Sequence, residues 1–289
     1  MKYAFIIYLL LLGFFELCAQ ESKPVHQTFG DRRIINTQSV EMLPVRKLDF
    51  RVGHRFGDLA GSGGGWSTFY GLENASDVMI GFEYGVTENL MVGINRTKGA
   101  GPLRQLINSF AKFRLMTQGA TKTQPVSLVV LGLTTVSTQP KSETEGVLHF
   151  FESPIHRWSY HLSVLTARKF NERISVQANA SWTYRNIVPA GDSNNLPAVG
   201  LAGRAQFSKS LALIVDTTFP ISAFRTSENQ FYPAIGLGIE FNTSGGHVFQ
   251  MNFTNTRGIS ETDYIPYSQS NIADGEFRLG FTISRLFSL

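Results

Sequence analysis

His161, Ser163 and Asn179 are side chains of the types that together could hydrolyse an ester. In such a set an imidazole takes the proton of a serine hydroxyl, and an amide holds the imidazole in the right tautomer. His161 and Ser163 alternate along "WSYHLSVLTARKF", and Asn179 falls in the following "ISVQANASWTYR". A tight turn at Asn171-Glu172 would bring Asn179 close to Ser163 across a strand pair. A second set is cationic. Arg51, Arg55, Lys112, Arg114, Lys169, Arg185, Arg204 and Arg278 recur within alternating segments, as do the carboxylates Asp49, Glu83, Asp216 and Glu240. Arranged around a pore, rings of Arg and Lys select anions; paired with carboxylates, they form a network that fills an interior. Metal chemistry has little to work with. His149, Glu152 and His156 match no known site spacing, and neither HExxH nor H-x-H occurs. "GSGGG" (61–65) lacks the Gly-Lys-Ser/Thr of a phosphate loop and reads as a flexible surface tract. None of these patterns calls for a cofactor.

The leader "MKYAFIIYLLLLGFFELCA" has the form of a cleaved signal peptide over residues 1–19. It combines Lys2, an apolar stretch over 3–15 and the small Ala19 at the cleavage position. Leu17 and Glu16 do not give Cys18 the small-residue context of a lipid-modified cysteine. Cys18 is the one cysteine, so the mature chain must be held by burial and hydrogen bonds rather than disulfides. With 17% charged residues, a net charge of +4 and no basic run of five, the composition argues against a nucleic-acid partner. No later segment offers the roughly 18 uninterrupted apolar residues of a membrane helix. Closed β-barrels need none, since they satisfy their backbone groups between strands.

From residue 47 onward the period is 2. "VMIGFEYGV" sets Val78, Ile80, Phe82, Tyr84 and Val86 against Met79, Gly81, Glu83 and Gly85, and the same alternation recurs to "EFRLGFTISRLFSL". "PVSLVVLGLTTV" (125–136) is apolar on both faces. About twelve strands result. The links after even-numbered strands are short and those after odd-numbered strands mostly long, reaching 57–76, 137–156 and 255–274. That sorting predicts an all-β, single up-and-down antiparallel transmembrane barrel in the outer membrane, with short periplasmic turns and long extracellular loops. A soluble sandwich would alternate equally well but would have no reason to sort its loops. The expected organisation is a periplasmic N-terminal segment over 20–46 and the barrel over 47–289. Expected partners are outer-membrane lipid and the barrel-assembly machinery, with small solutes or a periplasmic protein beyond them. Phe56, Trp158, Tyr160, Trp182, Tyr184, Phe207, Phe219 and Phe241 fall near strand ends, as interfacial girdles require. By parity the charged set Arg51, Arg55, Glu83, Lys112, Arg114, Arg185, Arg204, Asp216, Glu240 and Arg278 faces the lumen, where Gly81, Gly85 and Gly93 leave room between opposing walls. Arg55 is expected to bridge lumen carboxylates, and Gly57 to make the turn into the first loop. Segment 20–46 can plug the barrel, lie along its rim or meet a periplasmic partner.

"SVEMLPVRKLDFRVGHRFG" (39–57) and "FYGLENASDVMIGFEYGVTENLMVGINRT" (69–97) resemble a family of Bacteroidota outer-membrane β-barrels, domain of unknown function 5777. The shared features are His54-Arg55-Phe56-Gly57, the segment Gly71 to Ala75, and the hairpin ending at Arg96. The resemblance implies a barrel behind a signal peptide and implies no activity. Many such barrels end on an aromatic residue read during assembly, whereas this chain ends Phe287-Ser288-Leu289. His161, Ser163 and Asn179 also resemble the catalytic set of outer-membrane phospholipases, but Val164 and Leu165 replace the Asn-Gly that follows that serine, and parity turns the set away from lipid. The sequence thus favours a non-enzymatic narrow channel or transporter for small, anionic solutes. The alternative is a closed structural or interaction barrel working through its loops or N-terminal segment, and a hydrolase comes third.

Overall fold

The computed structural model describes residues 24–25, 27–119, 123–243 and 245–288. The expected signal peptide and Leu289 lie outside the described residues. Twelve strands follow in order: β1 Lys47–Phe56, β2 Ala75–Thr87, β3 Leu90–Thr97, β4 Leu106–Met116, β5 Ser127–Ser137, β6 Trp158–Lys169, β7 Ile174–Arg185, β8 Asn195–Gln206, β9 Leu211–Pro220, β10 Ala234–Asn242, β11 His247–Thr254 and β12 Arg278–Ser288. Each pairs antiparallel with its neighbours in sequence, and β1 closes the ring on β12 from Lys47↔Ser288 to Arg55↔Gly280. The expected up-and-down barrel is the fold observed.

The alternation explains the wall. On β6, Leu162 and Val164 are exposed on the outside while Ser159, His161 and Ser163 are buried inside. Period 2 therefore gives an apolar outer band and a polar inner face, as lipid outside demands. The loops sort as expected with one exception: the periplasmic connection 117–126 is longer than the extracellular connection 98–105. That turn has a task, because Gln118 exchanges two hydrogen bonds with the Lys169 backbone and its carbonyl accepts from Val25 N–H at 2.9 Å. It receives the N-terminal chain at the barrel's rim.

From Thr28 to Leu43 the segment assigned above to the periplasm lies inside the barrel and is almost wholly buried. It doubles back on itself through a bridge between Arg33 and Gln38, with Ile34 N–H donating to Thr37 O at 2.9 Å and Ser39 N–H to Arg32 O at 2.8 Å. From the other side the loop 255–277, expected to lie outside, folds its short helix α1 (Glu261–Tyr267) into the lumen, with Glu261 to Pro266 all buried. Apolar clusters seal these pieces to the wall: Phe29, Ile34, Ile35 and Val40 pack on Val129, Leu165 and Ile214, and Leu43 packs with Met91, Phe110 and Leu131. The apolar inner face of β5 is thus the wall of a core.

Two lumen glycines acquire a more definite reason than the sequence supplies. A Cβ on Gly85 would run into the carbonyl oxygen of Pro44, where the hairpin leaves the barrel, and one on Gly93 would strike the Phe110 ring. The first glycine admits the plug and the second admits a ring of the core.

Candidate functional site

The occupied lumen is where the charged residues converge, and it is built from three groups of contacts. In the first, on β1 and β2, Arg51 grips Asp31 of the hairpin through two hydrogen bonds of 2.7 and 2.6 Å. Arg32 of the hairpin reaches back to Asp49 at 2.5 Å and Glu83 at 3.0 Å. Two guanidiniums and three carboxylates thus share one buried cluster, which such charges need in a dry interior. In the second, Lys112 on β4 points its ammonium at the hairpin backbone, donating to the carbonyls of Arg32 (3.0 Å), Ser39 (3.0 Å) and Glu41 (3.4 Å). In the third, Asp216 on β9 receives the hairpin tip. Its Oδ2 accepts the backbone N–H groups of Ile35, Asn36 and Thr37 at 3.2, 2.6 and 2.9 Å, and its Oδ1 accepts Asn36 Nδ2 at 2.8 Å. Consecutive amides converging on one carboxylate form a backbone nest. Gln177 and Gln250 hold the strands of the hairpin through the carbonyls of Gln38 (2.8 Å) and Arg33 (2.9 Å).

The remaining charges fall elsewhere in the lumen. Arg204 meets Glu240 at 2.9 Å. Arg114 is half-buried near the periplasmic end. At the extracellular end Arg185 and Arg225 both bind Asp192 (3.0 and 2.7 Å), and Arg278 donates to Asn255 O at 2.9 Å. Burial alone would raise the Asp192 carboxyl, but hydrogen bonds from Arg225 and Arg185 bring it below the usual range. Arg55 departs from the expected role. It donates to Asn36 Oδ1 at 2.7 Å and to Thr256 and Gly258 of the inserted loop, rather than bridging carboxylates. Across the lumen most wall charges pair with the hairpin and the loop instead of with one another. Arg33 joins the two inserted pieces by an ion pair to Glu261 at 2.9 Å.

Sequence reasoning passed over Asp77 and Asp263. Asp77 continues the inner face of β2 one step beyond Met79, outside a strand started at Val78. It accepts the N–H groups of Gly99 at 3.0 Å and Ile259 at 2.9 Å. Asp263 accepts those of Ala100 and Gly101 at 2.8 and 2.9 Å. The two carboxylates therefore staple the inserted loop to the connection 98–105. Burial, and then the neighbouring Asp77 charge, push the Asp263 carboxyl up to about 7. Its proton is held more tightly in the folded barrel than in the unfolded chain, where about 3.9 is usual. The folded state therefore carries a penalty that sets in above pH ~4 and is complete above ~7. The thermal midpoint of the wild type should rise as the pH falls from 8 to 5. Asp263→Asn should flatten that rise, and an equally steep profile in the variant would show that Asp263 is not its source.

The hydrolytic set does not assemble. Ser163 pairs with Ser181, whereas Asn179 pairs with Leu165. The expected register fails because Asn171 Oδ1 accepts the N–H groups of Arg173 and Ile174 at 2.8 and 2.9 Å, widening the turn to residues 170–173. His161 Nδ1 shares a hydrogen bond of 2.9 Å with Thr183 Oγ1, and Ser163 Oγ donates to Ala180 O at 3.5 Å. No three His, Cys, Asp or Glu side chains among the described residues are arranged to hold a metal.

Among solved structures the barrel is similar to the KdgM porin in complex with disordered oligogalacturonate, with 6% identity, a TM-score of 0.51, and coverage of 83% of this chain and 99% of that one. An outer-membrane channel from Pseudomonas putida F1 aligns at 12% identity with a TM-score of 0.50, over 88% of this chain and 100% of the other. Such identities carry the fold alone. No curated protein matches by sequence. A family model described as a membrane-bound beta barrel domain matches residues 29–287, a span that takes in the lumen hairpin from Phe29 onward as well as the wall. By sequence, the chain belongs to that family of membrane-bound β-barrels, DUF5777.

Proposed function

We propose that this barrel is a gated channel for small solutes, closed at rest by its own residues 28–43 and by the loop 255–277. One observation carries the reading. Among the described residues, the backbone of segment 28–43 makes no hydrogen bond to the backbone of any strand, and its polar attachments to the wall run through side chains. Its departure would break no sheet ladder, and water could replace the polar partners it leaves. The vacated wall would carry Arg51, Arg55, Lys112, Arg114, Arg185, Arg204 and Arg278 against Asp49, Asp77, Glu83, Asp216 and Glu240. That modest basic surplus supports a preference for anions. The intact protein should be silent in a planar bilayer. A variant lacking residues 28–43 and carrying a short Gly-Ser link in place of the loop 255–277 should give stable steps, with a reversal potential in a salt gradient favouring anions.

A second reading rests on the apolar half of the lumen. Val129, Leu131, Leu133, Leu165 and Ile214 would be wetted in an open state, and burying them favours a closed barrel that works through its loops. If the variant without the hairpin and the inserted loop folds yet stays silent, that reading takes over.

A further inference from the structure

Three arginines occupy outward-facing strand positions: Arg96 on β3, Arg168 on β6 and Arg285 on β12. Two are accounted for by the protein itself. Arg168 and Arg285 stand at periplasmic strand ends and lie over the rings of Phe170 and Phe287, at 5.2 and 5.0 Å. Arg96 is different. It is exposed at the extracellular end of β3, and among the described residues its guanidinium has no hydrogen bond, ion pair or ring partner. Its paired neighbours are Ile80 on β2 and Ile107 on β4, with Ile94 and Phe82 exposed below it. An arginine on a lipid-facing wall is tolerated near the membrane edge because its long stem lies along apolar surface while the guanidinium reaches the headgroups.

The surroundings of Arg96 add charge of the same sign. Lys98 follows on the same side, exposed, with its backbone N–H held by Val78 O at 3.1 Å and its Nζ by Ala75 O at 2.6 Å. Val78 pairs in turn with His54 of β1, whose ring faces outward and stacks on Phe281 at 5.5 Å. Three nitrogen-bearing side chains, on β1 and at the end of β3 with β2 between them, thus stand at one end of the barrel, above an apolar wall. No outward-facing strand position carries Asp or Glu to neutralise them.

We propose that Arg96 and Lys98, flanked by His54, bind the phosphate of a phosphorylated lipid in the outer leaflet, whose acyl chains lie against Ile80, Phe82 and Ile94. Charge complementarity selects the headgroup, and the apolar wall directly beneath selects a lipid over a free anion. The inference is independent of whether the lumen conducts.

The test is native mass spectrometry of the full-length protein released from detergent micelles doped with either a bis-phosphorylated diglucosamine lipid or phosphatidylcholine. The phosphorylated lipid should be retained in preference. The double variant Arg96→Gln/Lys98→Gln should lose retention about thirtyfold, as removal of two headgroup contacts implies. Arg96→Lys should keep most of it, and Arg168→Gln at the opposite end should behave as wild type. Heat-modifiable gel mobility would show that each variant is folded. Equal retention of the two lipids would overturn the proposal, as would undiminished retention by the folded double variant. So would inorganic phosphate occupying the site as tightly as the lipid, since the apolar wall would then contribute nothing.

Discussion

Replacing Lys112 with methionine is expected to make the lumen hairpin about thirtyfold more accessible to trypsin, with cleavage after Arg32 and Arg33, while the twelve-stranded wall stays intact. The side chain is fully buried, and its ammonium is bound to three carbonyls that belong to two limbs of the hairpin. Methionine nearly matches the stem in volume, so the apolar contacts survive and the change removes the ammonium with its charge. Each carbonyl left without a partner costs on the order of 1 kcal/mol. Arg32 O keeps the N–H of Ser39, so the two others, Ser39 O and Glu41 O, shift the equilibrium between seated and released hairpin by roughly 2 kcal/mol, or about thirtyfold. Cleavage follows that population when reseating is faster than proteolysis. A folded variant cut no faster than the wild type would mean that the hairpin is held elsewhere and that Lys112 only fills space.

Asp216→Ala should release the tip of the same hairpin. Here one carboxylate satisfies three consecutive backbone donors and a side-chain amide. Alanine leaves four donors facing an apolar neighbourhood that includes Ile214, and breaking a buried charged contact of this kind costs about 3–5 kcal/mol. Hydrogen exchange at the amides of residues 35–37 should accelerate by roughly two to four decades. Asp216→Asn keeps one acceptor but loses the charge and adds donors, so it should fall between alanine and wild type. If the three amides remain as protected in the alanine variant as in the wild type, the nest is not what seats the tip.

The wall was legible because lipid imposes a strict period of 2, and segments such as β7 carry it from Ile174 to Arg185 without a break. Turn length set the orientation in the same way. The filling was harder to read for a physical reason. The hairpin satisfies its backbone largely through wall side chains such as Asp216, Lys112 and Gln177, which impose no periodic pattern on residues 28–43. Its one trace in the wall was β5, where Val129, Leu131 and Leu133 are apolar on a face that an aqueous lumen would keep polar. Parity directed Arg51, Lys112 and Glu83 inward, but it could not say that their partners would be Asp31, three carbonyls and Arg32. The position of Asn179 was lost through a single turn, since one Asx hydrogen-bond pattern at Asn171 moves every cross-strand partner on β7.

The hairpin is continuous with β1 through the turn at Pro44 to Lys47, which is pinned to the rim by Arg46 N–H on Gly85 O at 2.9 Å. A released hairpin therefore remains on a leash of a few residues. Short flexible tethers hold their cargo at an effective concentration in the millimolar range. Reseating is then intramolecular, indifferent to the amount of protein in the membrane, and always in competition with whatever displaces it. A solute that merely diffuses into the lumen must outbid that local concentration at each opening. A periplasmic protein that captures the free end needs to bind it once.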